Sequence, residues 1–72
     1  MPAIDVQVME GVFSAEEKAD LIRELTRAFG GVAGQCLADN LSVRIHDVES
    51  GSWGYAGKAL TTQDAKAMRE RG

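Results

Sequence analysis

The order of apolar patterns along this chain predicts an α/β fold: one βαβ unit followed by a C-terminal β-hairpin, with a sheet completed by oligomerisation. Three observations carry it. Ile4, Val6 and Val8 alternate with Asp5 and Gln7, the period-two pattern of a half-buried strand. Leu41, Val43 and Ile45 alternate in the same way with Ser42, Arg44 and His46. Between them, Leu21, Ile22, Leu25, Ala28, Phe29 and Val32 recur at spacings of three and four, which is one apolar face of a helix. Strand, helix and strand in this order make parallel strands joined by a right-handed crossover. Parallel sheets are normally covered on both faces. Two strands and one helix cannot do that, so the second face predicts packing against another subunit.

Pro2 opens the first strand and shares the parity of Ile4, Val6 and Val8, so its ring starts on the apolar face. Proline is tolerated at the first strand position because no ladder donor is lost there. Glu10-Gly11-Val12-Phe13 reads as a loop, with Gly11 permitting a turn. Ser14-Ala15-Glu16-Glu17 matches a capping box: the Ser14 hydroxyl can accept from the Glu17 amide while the Glu17 carboxylate accepts from the Ser14 amide. Acidic residues in the first turn suit the helix dipole. Lys18, Asp20, Arg23, Glu24 and Arg27 lie off the apolar face and read as solvated surface. Gly30-Gly31 weakens the last turns by about 1 kcal/mol per glycine relative to alanine, and Gly34 is the expected stop. Cys36 to Asn40 reads as a short connection, with Cys36 a small packing residue. Glu49 to Ser52 reads as a turn. Trp53-Gly54-Tyr55-Ala56-Gly57 reads as a small hairpin, with Tyr55 either lining a pocket or on its surface. Residues 61–72 form a short polar tail or helix, the helical stretch running from Gln63 to Arg71 and marginal by itself.

Seventy-two residues make a single domain, 1–72, with no room for a second. A chain this short buries only about 60% of its unfolded surface, and small domains add disulfides, a metal or subunit contacts. One cysteine excludes an internal disulfide, and one His with one Cys makes a structural zinc improbable. Oligomerisation remains, and an apolar share of 44% supplies both a core and an interface. A net charge of −3 gives no basic footprint for nucleic acid. No apolar run approaches the roughly 20 residues of a membrane span, and the alternating first residues do not form a signal peptide. A cytoplasmic protein is the expectation.

Together, Met1-Pro2, the alternating first strand, Glu10-Gly11, Ser14-Ala15-Glu16-Glu17-Lys18, Leu21-Ile22-Arg23-Glu24-Leu25-Thr26, Leu41-Ser42-Val43-Arg44-Ile45 and Trp53-Gly54-Tyr55-Ala56-Gly57-Lys58 resemble the 4-oxalocrotonate tautomerase family. The resemblance spans residues 2 to about 60. It implies a βαβ unit with a C-terminal hairpin, dimers with a continuous sheet, and a hexamer made of three dimers. It also implies keto–enol tautomerisation of a small 2-oxo acid without a cofactor. In that chemistry an N-terminal proline takes a proton from a 2-hydroxydienoate and returns it at another carbon. Arginines hold the carboxylate and polarise the carbonyl oxygen, and an aromatic residue of the hairpin keeps the site apolar. On this sequence those roles fall to Pro2 as the base, with Arg44 and Trp53 as substrate-binding residues.

The chemistry of Pro2 depends on Met1. Inside a chain its nitrogen is a tertiary amide without basicity; after removal of Met1 it is a secondary amine. An α-amino group has a pKa of roughly 7.7–8.0, and apolar surroundings lower it towards the value most useful to a base at neutral pH. From residue type alone Pro2 reads first as an ordinary strand opener, Arg44 equally as a solvated or ion-paired strand residue, and His46 as a surface residue.

The chain departs from the family pattern at Val12, where well-known members carry an arginine after Glu-Gly, and its loop is one residue longer. Aligned on Ser42-Val43-Arg44, the second family arginine is Arg44; aligned on Trp53, Ser42 falls there, with Arg44 two residues on and of the same parity. Loss of a charge-assisted bond worth about 1.5–3 kcal/mol costs roughly ten- to a hundredfold in affinity, so Val12 points to a smaller, monocarboxylated or more apolar substrate. A rival reading is a non-catalytic subunit that completes a mixed oligomer with an active paralogue.

Overall fold

The computed structural model describes residues 1–72. Its first strand, β1 (Ala3–Met9), leads into helix α1 (Ala15–Ala33), a single-turn helix α2 (Gln35–Ala38) and strand β2 (Ser42–Val48). A hairpin of β3 (Trp53–Tyr55) and β4 (Lys58–Leu60) follows, and helix α3 (Thr62–Glu70) ends the chain. β1 and β2 run parallel, with Ile4 opposite Val43, Asp5 opposite Arg44 and Val6 opposite Ile45. The hairpin is antiparallel, pairs Trp53 with Leu60, and stands as a separate two-stranded sheet.

Alternation decides which face of the βαβ sheet is covered. Ile4, Val6, Val8, Val43 and Ile45 are half-buried, whereas Ala3, Asp5, Gln7, Ser42, Arg44 and His46 are exposed. α1 packs on β2, and the Lys18 ammonium reaches the Asp47 carboxylate at 2.7 Å. The capping box at its start is formed: Glu17 N donates to Ser14 Oγ at 3.1 Å, and Ser14 N donates to Glu17 Oε1 at 3.0 Å. Gly34 ends the helix at a φ of 97°, a conformation that favours glycine.

The covered stripe of α1 is narrower than the sequence pattern suggests. Leu21, Leu25 and Phe29 are half-buried, at a spacing of four, while Ile22, Ala28 and Val32 are exposed, Val32 to 93%. A two-stranded sheet is about one helix wide, so the flanking apolar residues find nothing to cover them. The connection after α1 is itself helical: α2 lies so close to α1 that a Cβ on Gly30 would come within 3.0 Å of the Ala38 Cβ.

Met9 and Ala38 are the only residues that reach burial, and none is fully enclosed. The chain extends over 41 × 22 × 18 Å. The outer edges of β1 and β2 are unpaired, and no helix is long and apolar enough to cross a membrane.

Candidate active site

The C-terminal end of β1 meets the hairpin and α3 around one cavity of about 360 Å³. Val8 and Met9 of β1, Val12 and Phe13 of the following loop, Trp53 and Leu60 of the hairpin, and Ala65 and Met68 of α3 supply its apolar wall. Two charged residues, Asp64 and Arg69, complete its lining. The sequence builds this enclosure locally. Ala56 and Gly57 both adopt positive φ, 51° and 81°, the backbone of a tight hairpin turn. That turn sets Trp53 beside Leu60.

α3 is held against the loop by a second capping box. Asp64 N donates to Thr61 Oγ1 at 3.2 Å, and Thr61 N donates to Asp64 Oδ2 at 2.9 Å. The bonds that its carboxylate accepts, from the Thr61 amide first and then from the Thr61 hydroxyl at 3.1 Å, hold Asp64 below its ordinary range. The Thr62 hydroxyl donates to Glu10 O at 2.8 Å, and Thr62 N donates to Ser50 Oγ at 2.9 Å. At its far end Arg69 forms a two-pronged ion pair with Glu17 of α1. Arg69 also donates from Nη1 to Val12 O at 2.8 Å, and its guanidinium carbon lies 4.6 Å from the centre of the Phe13 ring. The Glu17 carboxyl is lowered to about 2, chiefly by the hydrogen bond from Arg69 and then by the Ser14 amide.

The three residues singled out from sequence do not meet within one chain. Pro2 is half-buried beside the N-terminal end of β1, where its carbonyl accepts from Ser42 N at 3.1 Å. Trp53 lines the cavity near Val8. At about 3.3 Å per residue, Pro2 and Val8 are roughly 20 Å apart along the strand. Arg44 lies near the Pro2 end but on the open face, by strand parity away from the Pro2 ring. Its Nη1 is 3.6 Å from Asp5 Oδ1, and that same oxygen is 3.1 Å from His46 Nε2. Asp5 is held below the usual carboxylate range, first by the His46 hydrogen bond and then by the Arg44 charge. Tyr55 is 73% exposed on the hairpin surface, and Cys36 is exposed. No group of three His, Cys, Asp or Glu side chains is arranged to hold a metal ion.

Asp64, Ala65, Met68 and Arg69, the cavity residues of α3, are ones that sequence reasoning passed over. The signal for two of them was present: Thr61-x-x-Asp64 is a capping pattern, and it places α3, with Arg69 at its far end.

A family profile described as "Tautomerase enzyme" matches residues 2–63. Among solved structures, YwhB, a homologue of 4-oxalocrotonate tautomerase, is 27% identical and superposes with a TM-score of 0.73 over 82% of this chain and 93% of its own. A 4-oxalocrotonate tautomerase isozyme from Methylibium petroleiphilum is 26% identical, with a TM-score of 0.71 over 89% and 97% of the two chains. TomN, a 4-oxalocrotonate tautomerase homologue of the tomaymycin biosynthetic pathway, is 25% identical, with a TM-score of 0.73 over 99% and 97%. No curated protein matches the sequence. These structures share the βαβ unit with its C-terminal hairpin and open sheet.

Proposed function

We propose, because this chain belongs to the tautomerase family, that it interconverts the enol and keto forms of a small 2-oxo acid with Pro2 as its proton carrier. Tautomerase-family enzyme activity, an isomerisation, follows from the membership. The proton carrier, the substrate and the assembly are our reading. One observation carries it: the family match spans residues 2–63, from Pro2 to beyond Trp53. The secondary amine of Pro2, exposed once Met1 is removed, accepts the proton of the 2-hydroxyl of a 2-hydroxydienoate. The carbonyl forms, the electron pair moves along the diene, and a distal carbon takes a proton back from the ammonium. No cofactor takes part. An arginine fork holds a carboxylate by two hydrogen bonds, and the candidate for it is Arg44 of another chain, since Arg44 faces away from the Pro2 of its own.

The site then forms between chains. Pro2 and Arg44 lie towards one end of the sheet and Trp53 at the other. Antiparallel pairing of two such sheets at their free edges brings the Pro2 end of one chain to the cavity of the next. It also covers strand edges that otherwise invite indiscriminate pairing. Cover is needed elsewhere as well, since the chain encloses almost nothing by itself and the polar face carrying Asp5, Arg44 and His46 is open. A homohexamer built from three dimers meets both needs.

The initial rate of ketonisation of phenylenolpyruvate, a monocarboxylated enol, tests the reading in the native protein and in Pro2→Ala. The expected loss is at least a hundredfold, about 2.7 kcal/mol of barrier. No rate above buffer, or equal rates, would leave the alternative that Val12 favours, a non-catalytic subunit of a mixed assembly.

A further inference from the structure

α3 is the wall of the cavity that the family profile does not describe, since the match ends at residue 63, one residue into the helix. Ala65 and Met68, three residues apart and so on one helix face, line the cavity, whereas Lys66 and Glu70 border a separate shallow depression. No residue of α3 is buried, and Met68 is 59% exposed. What holds the helix is polar and sits at its two ends: Thr62 on Glu10 O and Ser50 Oγ, and Arg69 on Val12 O and Glu17. A helix pinned in this way stands off the apolar surface instead of collapsing onto it, and a space of about 360 Å³ stays open. An apolar cavity of roughly 150 Å³ takes up benzene, so this one has room for a ring and several chain atoms. Its two charged residues are already engaged, Asp64 by Thr61 and Arg69 by Glu17 and Val12 O. The surface that remains for a ligand is that of Val8, Phe13, Trp53, Leu60, Ala65 and Met68.

We infer that Met68, carried by α3, is a specificity-determining residue: it closes the α3 side of the cavity and sets the longest apolar tail that the substrate can carry. This deepens the proposed reaction and rests on it for the reacting end, a 2-oxo carboxylate brought to the Pro2 of a neighbouring chain. The far end is then an uncharged aryl or alkyl group. Methionine suits such a wall, because its unbranched side chain adapts to tails of different shape and its sulfur meets ring edges favourably. Ala65, small and half-buried one turn earlier, leaves the room that Met68 then limits.

Binding, rather than turnover, tests this. Trp53 is the only tryptophan of the chain and lines the cavity, so its fluorescence reports occupancy there. The ligands are phenyl-terminated alkanoates, from phenylacetate to 6-phenylhexanoate. None has a 2-oxo or enol group, so a failure of the Pro2 mechanism leaves the series unaffected. In the native protein, affinity should rise about fourfold with each methylene and stop rising where the ring meets Met68. Met68→Ala should move that limit to acids longer by at least one methylene, and Met68→Trp should move it to shorter ones. Lys66→Ala, on the same helix but outside the cavity, should leave it in place. A helix that merely braces the fold predicts instead one common factor for all the acids in both Met68 variants, with no movement of the limit. That result overturns the inference, as does an affinity that climbs through the whole native series. So does a Trp53 signal that answers to none of the acids, the outcome if a neighbouring chain fills the cavity.

Discussion

Two impaired variants should regain activity when they are assembled together. Pro2 and the cavity that contains Trp53 lie at opposite ends of β1, roughly 20 Å apart at about 3.3 Å per residue, too far for one small substrate. If the two serve one site, as proposed, that site takes Pro2 from one chain and Trp53 from another. Pro2→Ala should lose at least a hundredfold in rate. Trp53→Ala removes an apolar contact worth about 1.5–3 kcal/mol, tenfold or more. When the two are unfolded together in equal amounts and refolded, half of the pairs are mixed. In a two-fold symmetric pair each interface residue meets its counterpart once in each direction. Every mixed pair then has one site with both native residues and one with neither, and about a quarter of all sites are native. Initial-rate assays with phenylenolpyruvate should show about a quarter of native activity, against roughly a twentieth for the same variants refolded apart. If native mass spectrometry shows mixed assemblies and the rate stays at the sum of the separate variants, the shared-site reasoning is wrong.

Gly11→Ala tests the loop under α3. Gly11 has a φ of +78°, and a Cβ there would lie 3.2 Å from the Thr62 Cγ2. The left-handed backbone alone costs about 1–2 kcal/mol, which at about 4–8 °C per kcal/mol lowers Tm by roughly 4–16 °C when protomer concentration is held fixed; an unchanged Tm would show that α3 does not constrain this loop. Acid titration tests the attachment of α3 to α1. Glu17 falls from an ordinary 4.5 to about 2 in the folded chain, so its contribution is complete above about 4.5 and is lost as pH falls towards 2. The Tm difference between the native protein and Glu17→Gln should be flat from pH 7 to 5 and narrow below 4.5; a difference that stays constant down to pH 2 would contradict this.

The parts of the fold that were legible are those with a long local signal. Ile4-Val6-Val8 and Val43-Ile45 state their strands by alternation, and Ser14 with Glu17 states the start of α1. The width of the covered helix face was not legible, because Ile22, Ala28 and Val32 satisfy the helical period whether or not anything lies across from them. α2 is too short to have a period. α3 was marginal by composition, and what holds it is remote in sequence: Thr62 on Glu10 and Arg69 on Val12 and Glu17. For the same reason Arg69 escaped notice, since a guanidinium 57 residues from the carbonyl it meets leaves no local pattern. Trp53 and Pro2 were singled out through the family resemblance, which gives roles to a hairpin aromatic and to an N-terminal proline.

The most direct test of that chemistry leaves every residue from Pro2 onward in place. Protein that retains Met1 and protein that has lost it can be prepared, their proportions fixed by intact mass, and their ketonisation rates compared on phenylenolpyruvate. If the Pro2 amine is the base, the rate follows the fraction of chains without Met1 and vanishes when Met1 is retained, because an amide nitrogen cannot take up the proton. Equal rates from the two forms would mean that the proton is carried by another group.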